Sequence, residues 1–400
     1  MLDELIAIHN EVMATTPQNF KRYLHDEINW ENQVICVLGD RGVGKTTMCC
    51  QYLKITYPSP EQGLYISADN INVLARGLFN TAREFFSSGG EALCIDEVHK
   101  YPNWSIELKN IIDTYKKKKV IFLGSSSIDL KKSKADLSRR VVYYSLRGLS
   151  FREFLNLQYQ LDVPAYSLAT IMTDHVTVAS QFTGIPILKY FKEYIRYGYY
   201  PFFLEGTAEY LEKVNNVIEK VIYEDIAVIY DLKQTTLPVL KQVLWLIATS
   251  DPLKPNIDKI SKSLQVSREG VYNCLAYLHQ AGLITNLYEN VIGMKLVRKP
   301  GKIYLNNTSL LHAINGSIKL TANIGTAREV LFVNQVSSLH RLNLHSSADF
   351  IIEENYVIEV GGRNKSNSQL KGTTNGYLAL DDIDVGYKHK IPLYLFGFLY

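Results

Sequence analysis

The 400-residue sequence predicts an α/β fold that begins with a parallel β-sheet. Between residues 33 and 150, five short apolar segments alternate with longer segments of helical pattern, which is typical of a parallel sheet covered by helices. After that the pattern changes: residues 151–230 are mostly helical, and residues 306–400 mix helix with strands. A chain of this length usually forms two or three domains, so we place boundaries near residues 150 and 305.

The composition is that of an ordinary soluble globular chain, with 46% hydrophobic and 21% charged residues. A net charge of +3 gives no global basic field, so any contact with nucleic acid must come from a local patch. The five cysteines lack zinc or disulfide spacing, which predicts a cytoplasmic protein. The acidic, amphipathic MLDELIAIHNEVM is not a signal peptide, and no apolar run is long enough to predict a membrane span.

The elements of the first region follow in a regular order. Residues 1–30 favour a pair of helices. The predicted strands are QVICVLG, GLYISA, EALCIDE, KVIFLGSS and RRVVYYSL, and the helices between them are TTMCCQYLKITY, INVLARGLFNTAREFF and WSIELKNIIDTYKKKK. We interpret the lysines at 116–119 as complementing the negative end of the last helix, and not as a nucleic-acid patch.

Residues 235–305 predict three helices closed by a β-hairpin, which is the outline of a winged helix-turn-helix. The helices are LPVLKQVLWLIATS, NIDKISKSL and VSREGVYNCLAYLHQAG. Arg268 lies near the start of the third helix, and the wing carries Lys295, Arg298, Lys299 and Lys302. This distribution would suit double-stranded DNA. The third helix has few basic residues, however, so a role as a spacer stays open.

The stretch Gly39-Asp40-Arg41-Gly42-Val43-Gly44-Lys45-Thr46 follows an apolar strand and fits the pattern G-x-x-x-x-G-K-[ST], with Thr47 continuing into a helix. The glycines let successive N–H groups point at phosphate oxygens, and the helix adds its positive end. Lys45 is expected to reach the β- and γ-phosphates, and the Thr46 hydroxyl to bind Mg²⁺. The stretch therefore predicts a site for ATP and Mg²⁺.

Hydrolysis also needs acids near the phosphates, and the strand ALCI ends in Asp96-Glu97. We expect Asp96 to hold Mg²⁺ and Glu97 to polarise the attacking water. Ser125-Ser126-Ser127 ends the next strand and would sense the γ-phosphate, although three serines equally suit a turn. Arg139-Arg140 follows, and one of the two is either an arginine finger, in its own or a neighbouring subunit, or a surface ion-pair residue.

The segments CVLGDRGVGKTT, CIDEVHKYPNWSIELKNIID, FLGSSSIDL, LSRRV and LRGLSFREFL, in that order, resemble a large prokaryotic family of AAA-type ATPases. Members of this family carry a C-terminal domain of uncharacterised function related to restriction-type nucleases. The resemblance implies a P-loop AAA-like core with Lys45 and Thr46 at the phosphates and Asp96 and Glu97 as the hydrolytic acids. It also matches Ser125 or Ser126 to a sensor position. Arg140 matches the family's arginine, but Arg139 replaces the small residue before it, so which arginine acts stays open.

The tail, predicted as an α+β restriction-nuclease-like domain, contains three acids that could form a second Mg²⁺ site. Glu329 lies on a predicted helix, Asp349 opens the strand ADFII, and Glu359 lies on the paired strand YVIEV. Acids in this arrangement can bind Mg²⁺ for phosphodiester hydrolysis. The resemblance implies a lysine two residues after the second acid, where this chain has Gly361. Lys365 or Arg363 could replace it; otherwise the domain is retained for packing or binding.

Together these features predict an ATP-binding protein with regulated ATP hydrolysis that acts on or near DNA through its back half. One alternative is an ATP-gated, Mg²⁺-dependent nuclease. Another is a non-catalytic, ATP-controlled switch that binds DNA or an unidentified protein. An arginine acting in a neighbouring subunit would require a homo-oligomer.

Overall fold

The computed structural model describes residues 2–125, 137, 139–289 and 300–400. The chain forms two compact units, Met1–Gly148 and Leu149–Tyr400. Within the described part of the chain, no helix has the length and apolar character needed to cross a membrane.

The first unit is a parallel five-stranded sheet with helices between the strands. Its sheet order is β2-β3-β4-β1-β5 and every neighbouring pair is parallel, as predicted. The strands are β1 (Val34–Gly39), β2 (Gly63–Ser67), β3 (Ala92–Asp96), β4 (Lys119–Ser125) and β5 (Val142–Leu146), and the helices are α1 (Leu2–Thr15), α2 (Tyr23–Glu27), α3 (Lys45–Thr56), α4 (Ile71–Arg76), α5 (Leu78–Ser87) and α6 (Trp104–Thr114).

Two elements of this unit differ from the sequence prediction. INVLARGLFNTAREFF forms two helices because Gly77 takes a left-handed conformation (φ 95°) and ends α4. The helix before β4 ends at Thr114, so the lysine run does not close it. Lys119 is instead the first residue of β4, where its buried ammonium donates to the carbonyl oxygens of Trp30 and Asn32. Burial lowers the pKa of Lys119, against the opposing charge of Glu31.

The strand order creates a crevice at the carboxyl end of β1. The strand β1 lies between β4 and β5. The connection from β1 to β2 crosses the sheet in one direction, and the connection from β4 to β5 crosses it in the other. Such switch points are where open α/β sheets bind ligands. Gly39 at the end of β1 is paired with Ser125 of β4 and with Leu146 of β5. The segment after Gly39 therefore begins in this crevice.

The second unit combines helices with a mixed sheet of order β12-β11-β10-β9-β8 and a separate antiparallel hairpin, β6-β7. The helices are α7 (Phe151–Tyr159), α8 (Leu168–Ser180), α9 (Ile187–Tyr197), α10 (Tyr210–Lys220), α11 (Ala227–Ile229), α12 (Leu237–Thr249), α13 (Ile257–Leu264), α14 (Arg268–Gln280), α15 (Thr308–Ser317) and α16 (Ile324–Ser337), with a π-helical turn at Val221–Ile226. The strands are β6 (Ile284–Leu287), β7 (Lys302–Leu305), β8 (Leu342–Leu344), β9 (Phe350–Ile352), β10 (Tyr356–Gly361), β11 (Gly376–Leu380) and β12 (Lys390–Pro392).

The middle and tail regions, which we expected to be separate, lie in this one unit. The segment just after β6 contacts the tail sheet, since the N–H of Leu344 in β8 donates to the carbonyl of Tyr288 at 2.9 Å. The predicted strand IPLYLFG is shorter in the structure: β12 ends at Pro392, and Leu393–Phe398 forms a buried 3-10 helix. Hydrophobicity alone does not separate these two conformations in a short buried run.

Gly39 gives a test of the close approach between β1 and β5. A Cβ atom at this position would lie 2.3 Å from the main-chain oxygen of Leu146. We therefore expect Gly39→Ala to lower the free energy of unfolding by about 1–3 kcal/mol, the usual cost of overpacking. Urea unfolding followed by circular dichroism measures this change.

Gly316→Ala is the matched control, because a Cβ at Gly316 in α15 meets no atom within 4 Å. Alanine is the better helix former, so this variant should be as stable as wild type or slightly more stable. Equal stability of the two variants would show that the contact with Leu146 relaxes without cost.

Candidate functional site

The glycine-rich loop links the end of β1 to the start of α3. Gly42 (φ 85°) and Gly44 (φ 94°) both have left-handed backbones, which side chains with a Cβ rarely adopt. Gly44 is also the N-cap of α3, so the loop runs directly into the positive end of that helix. The residues predicted to bind the cofactor, 39–47, thus occupy a strand end, a turn and a first helical turn, which is the arrangement that an anion site needs.

Lys45 lies over its own loop. Its Nζ atom donates to the carbonyl oxygens of Gly39 and Asp40, both at 2.9 Å. The ammonium therefore lies against the loop that is expected to hold phosphates, and its contact with phosphates stays a prediction.

The loop and strand β3 meet through the first predicted acid. The Thr46 hydroxyl donates to Asp96 Oδ2 at 2.6 Å, and the N–H of Glu97 donates to Asp96 Oδ1 at 2.7 Å. Tyr65 of β2 also donates to Oδ2, at 3.1 Å. Burial, and then the charge of Asp96, raise the pKa of Tyr65, so this phenol stays a donor. Sequence reasoning missed Tyr65, because no motif marks it.

Glu97 has an unusual backbone and a charged environment. It adopts a left-handed conformation (φ 50°, ψ 34°), which is uncommon for a residue with a Cβ and is often found at functional sites. Its carboxylate is 32% exposed and lies 3.4 Å from His99 Nε2 and 3.8 Å from Lys100 Nζ. The second predicted acid is thus solvent-accessible at the carboxyl end of β3, next to the loop.

Lys100 connects Glu97 to a second acid. Its ammonium donates to Asp69 Oδ2 at 2.8 Å, and Asp69 follows the end of β2. Burial lowers the pKa of Lys100, but the bond to Asp69 and the charges of Glu97 and Asp69 outweigh it and raise the pKa overall. Sequence reasoning missed Lys100 too, although its place three residues after Glu97 could have revealed it.

Ser125 lies at the loop and the two arginines do not. Ser125 is buried at the end of β4, in register with Gly39, while Ser126 and Ser127 are outside the described residues. Arg140 precedes β5 at the amino end of the sheet, opposite to the loop, and its guanidinium binds Asp113 of α6 through Nε at 2.6 Å and a second nitrogen at 3.2 Å. Arg139 is exposed there as well. The sheet therefore keeps Arg140 away from the loop of its own chain.

The three tail acids converge in the second unit, with protein donors between them. Glu329 of α16 accepts from Tyr304 at 2.7 Å and from Lys302 at 3.3 Å, and Lys302 also lies 3.7 Å from Asp349. The N–H of Asp349 donates to Glu359 at 3.1 Å. Lys302 was predicted on the surface of a wing; in the structure it points into this cluster.

Lys365 replaces the lysine that position 361 lacks. Its Nζ atom lies 2.7 Å from Glu359 Oε1. A Cβ at Gly361 would lie 2.7–2.9 Å from the aliphatic stem of Lys365, so the glycine leaves the space that this stem fills. Glu359 itself is 1% exposed, and the lysine compensates a buried charge.

The acids of the predicted second metal site, Glu329, Asp349 and Glu359, contact other protein groups in the structure. In the described ranges, no group of three His, Cys, Asp or Glu side chains is arranged to hold a metal ion. The physical reason is that protein donors take the acid oxygens: the Lys302 ammonium lies between two of the acids, and Lys365 covers the third. This cluster is an internal network of ion pairs.

The three helices α12, α13 and α14 followed by the hairpin β6-β7 occur in the predicted order. Arg268 at the start of α14 is exposed and pairs with Asp258 of α13 at 2.8 Å. The exposed surface of α13 includes Lys259 and Lys262, one turn apart. The wing residues Lys295, Arg298 and Lys299 lie outside the described residues.

Two protein-family models and one relative match parts of this chain. Residues 31–155 match a family model described as an AAA domain, and residues 188–321 match a domain of unknown function, DUF8612. An uncharacterized protein of Methanocaldococcus jannaschii, MJ1637, is 26% identical over 394 residues, which span 91% of this chain and 82% of the relative. Residues 31–155, which contain the parallel sheet and the loop, are therefore similar to an AAA domain.

Solved structures with some likeness include AMPPCP-bound DnaA from Aquifex aeolicus, with 14% identity and a TM-score of 0.28 over 69% of this chain and 88% of that one. The S. cerevisiae Hsp104–ADP complex has 15% identity and a TM-score of 0.25, covering 70% and 39% of the two chains. C. elegans PCH-2 has 13% identity and a TM-score of 0.26, covering 69% and 67%. These scores are too low to support a conclusion about this chain.

The tail cluster predicts a specific dependence of stability on pH. Burial, and then the charge of Asp349, raise the pKa of Glu329 in spite of Lys302 and Tyr304. The raised pKa means that the stabilising contribution of Glu329 is present below its ordinary value of 4.5 and is lost as pH rises through the folded-state pKa. We expect Glu329→Gln to be more stable than wild type at neutral pH, with the difference shrinking as pH falls below that value.

Urea unfolding at a series of pH values measures this difference. Glu212→Gln is the control, because Glu212 is exposed on α10 and the substitution removes the same charge. If Glu329→Gln is instead less stable at neutral pH, the ion pair with Lys302 outweighs the cost of burial.

Proposed function

We propose that the unit Met1–Gly148 binds ATP with Mg²⁺ and hydrolyses it in a regulated manner. The observation that supports this most is the hydrogen bond of 2.6 Å between Thr46 and Asp96, which are 50 residues apart in sequence. It joins the loop expected to hold phosphates to the strand expected to supply the hydrolytic acids. The match of residues 31–155 to an AAA domain supports the same function.

The donor atoms at this point fit Mg²⁺. A hydroxyl and a carboxylate oxygen are ligands that Mg²⁺ prefers, and Thr46 and Asp96 present one of each at the mouth of the loop. Mg²⁺ bound there would neutralise charge on the β- and γ-phosphates of ATP. Tyr65 and the N–H of Glu97 keep the Asp96 carboxylate oriented toward the loop.

The remaining residues supply charge and a base. Lys45 exchanges the carbonyls of Gly39 and Asp40 for phosphate oxygens, and so compensates the negative charge that ATP brings. Glu97 polarises the attacking water, with Lys100 and His99 holding its carboxylate in place. Ser125, next to Gly39 in the sheet, contacts the γ-phosphate.

Arg140 would act on the ATP of a neighbouring subunit in a homo-oligomer. Its place at the amino end of β5 supports this over a role at its own loop, since a strand of five residues spans roughly 17 Å. In this proposal Asp113 holds the Arg140 guanidinium through two hydrogen bonds until the neighbouring subunit docks.

We predict that Lys45→Ala abolishes ATP binding and that Glu97→Gln binds ATP but turns it over about 10²–10⁴-fold more slowly, the usual loss for a general base. Nucleotide binding is measured with fluorescent ATP, and turnover by phosphate release. Glu91→Gln, at an exposed acid just before β3, is the control for charge and should behave as wild type. Normal ATP turnover by Glu97→Gln would show that Glu97 is not the base that polarises the attacking water.

The same assays decide the role of Arg140. If Arg140 acts on a neighbour, Arg140→Ala and Lys45→Ala proteins are each inactive alone and regain part of the activity when mixed. A mixture as inactive as its components would contradict an arginine finger, and Arg139→Ala tests its neighbour in the same way.

For the second unit, we propose an ATP-controlled DNA-binding switch built on the winged-helix arrangement of α12, α13, α14 and the hairpin. Its support is the pair of exposed lysines, Lys259 and Lys262, beside the exposed start of α14. A protein partner remains the alternative for the same surface. A metal-dependent nuclease lacks support here, because lysines fill the predicted metal site.

We predict that the double variant Lys259→Ala, Lys262→Ala binds duplex DNA more weakly and reduces the slope of log affinity against log salt by about 2, since two phosphate contacts are lost. Fluorescence anisotropy at several salt concentrations measures the slope. Lys116→Ala, Lys117→Ala is the control, because it removes two exposed charges from the other unit. Equal effects of the two variants would contradict a DNA surface on α13, and plasmid cleavage with Mg²⁺ or Mn²⁺ would restore the nuclease alternative.

A further inference from the structure

Arg22 is a buried cation with main-chain partners in two segments. The residue follows α1 in sequence and is the N-cap of α2, and it is 5% exposed. One guanidinium nitrogen donates to the carbonyl oxygen of Val43. The other donates to the carbonyls of Arg147 and Gly148, at 2.8 and 3.0 Å. Arg22 thus links the middle of the glycine-rich loop to the end of β5.

One of these acceptors, the carbonyl of Val43, lies within the glycine-rich loop itself, so the contact bears on the shape of the loop. Val43 stands between Gly42 and Gly44, whose left-handed backbones leave the peptide between Val43 and Gly44 free of side-chain restraint on one side. A peptide in such surroundings can turn over, with its carbonyl and its N–H exchanging directions. If the carbonyl pointed into the loop, it would repel a phosphate instead of binding it.

A trans peptide is planar, so its C=O and the following N–H point in opposite directions. By holding the carbonyl of Val43 on the outside of the loop, Arg22 fixes the N–H of Gly44 on the opposite side, where the phosphates would lie. We infer that Arg22 is a positioning residue that locks this peptide in the anion-binding orientation. The inference rests on the proposed function, since it assumes that the loop holds phosphates.

Arginine suits this role better than lysine. The guanidinium is planar, always charged and carries five donors in a fixed fork, so a single side chain can serve three carbonyls in two segments. An ammonium at the same place keeps the charge but presents its donors from one point. Arg22→Lys therefore tests the orientation of the peptide separately from the charge.

The experiment measures binding of inorganic tripolyphosphate with Mg²⁺ by calorimetry, because this probe contacts the loop and has no base or ribose. We expect Arg22→Lys to bind it more weakly by about tenfold or more, because a hydrogen bond between an N–H and a charged phosphate oxygen is stronger than one between neutral groups. For ATP, KM should rise while kcat changes less, because an N–H that contacts phosphate throughout the reaction contributes uniform binding. Unchanged affinity for tripolyphosphate would overturn the inference.

A matched control separates this role from support of the chain. Gln51 of α3 donates to the carbonyls of Pro17 and Phe20, so it anchors the same segment without touching Val43. Gln51→Met should lower the melting temperature but leave the affinity for tripolyphosphate at the wild-type value. If Gln51→Met loses as much affinity as Arg22→Lys, then Arg22 only holds the segment in place and the inference fails.

Two further arms complete the test. In Arg22→Ala, millimolar guanidinium should restore part of the affinity for tripolyphosphate, whereas the same concentration of tetramethylammonium should not; equal effects of the two ions would contradict the inference. Lys45→Ala separates the two proposals. If Lys45→Ala keeps full affinity, the loop is not the phosphate site and the proposed function fails. If Lys45→Ala loses affinity and Arg22→Lys does not, only the role of Arg22 fails.

Discussion

The first unit depends on how the carbonyl groups of its glycine-rich loop are satisfied. A loop that turns N–H groups inward toward an anion turns carbonyl oxygens outward, and buried carbonyls need donors. Here the donors are cations from elsewhere in the chain: Arg22 serves Val43, and Lys45 serves Gly39 and Asp40. Arg22 is buried and keeps its bond to the Val43 carbonyl, whereas Lys45 is half-buried and its ammonium can move from the carbonyls to a ligand. Permanent and exchangeable donors thus have separate tasks at one loop.

The sheet supplies the second requirement, which is to bring acids to that loop. Because β4 lies between β1 and β3, Asp96 meets the loop through Thr46 in the first turn of α3 and not through an adjacent strand. Tyr65 donates to the same carboxylate oxygen as Thr46, and the N–H of Glu97 donates to the other oxygen. The left-handed backbone at Glu97 then sends the chain away from the sheet immediately after Asp96, leaving Glu97 accessible to water. Orientation of one acid and exposure of the next follow from the same turn.

Local patterns predicted much of this, and long-range contacts limited the rest. The strands of the first unit could be located because each is a short buried apolar run, and the loop because its glycines and lysine have fixed spacing. The roles of Arg22, Lys302 and Lys365 could not be found in this way. Arg22 meets Val43 across 21 residues and Arg147 across 125, and Lys302 meets Glu329 across 27, so no local pattern records these contacts. Lys302 was placed on a DNA-binding wing because a charge near a hairpin looks exposed until its partner is known.

Acids in the two units show that the groups bonded to a carboxylate decide whether it can bind a metal ion. The hydrogen bonds to the Asp96 carboxylate described above come from neutral donors, a hydroxyl, a phenol and a backbone N–H, so a divalent cation would add positive charge to this carboxylate. At Glu329 and Asp349 the Lys302 ammonium already provides that charge, and a cation entering there would meet repulsion and leave the lysine unpaired. Carboxylates are thus the proposed Mg²⁺ ligands in the first unit and ion-pair partners of lysine in the second. For this reason the contact between Thr46 and Asp96 supports the proposed nucleotide site, while the three tail acids form ion pairs with Lys302 and Lys365.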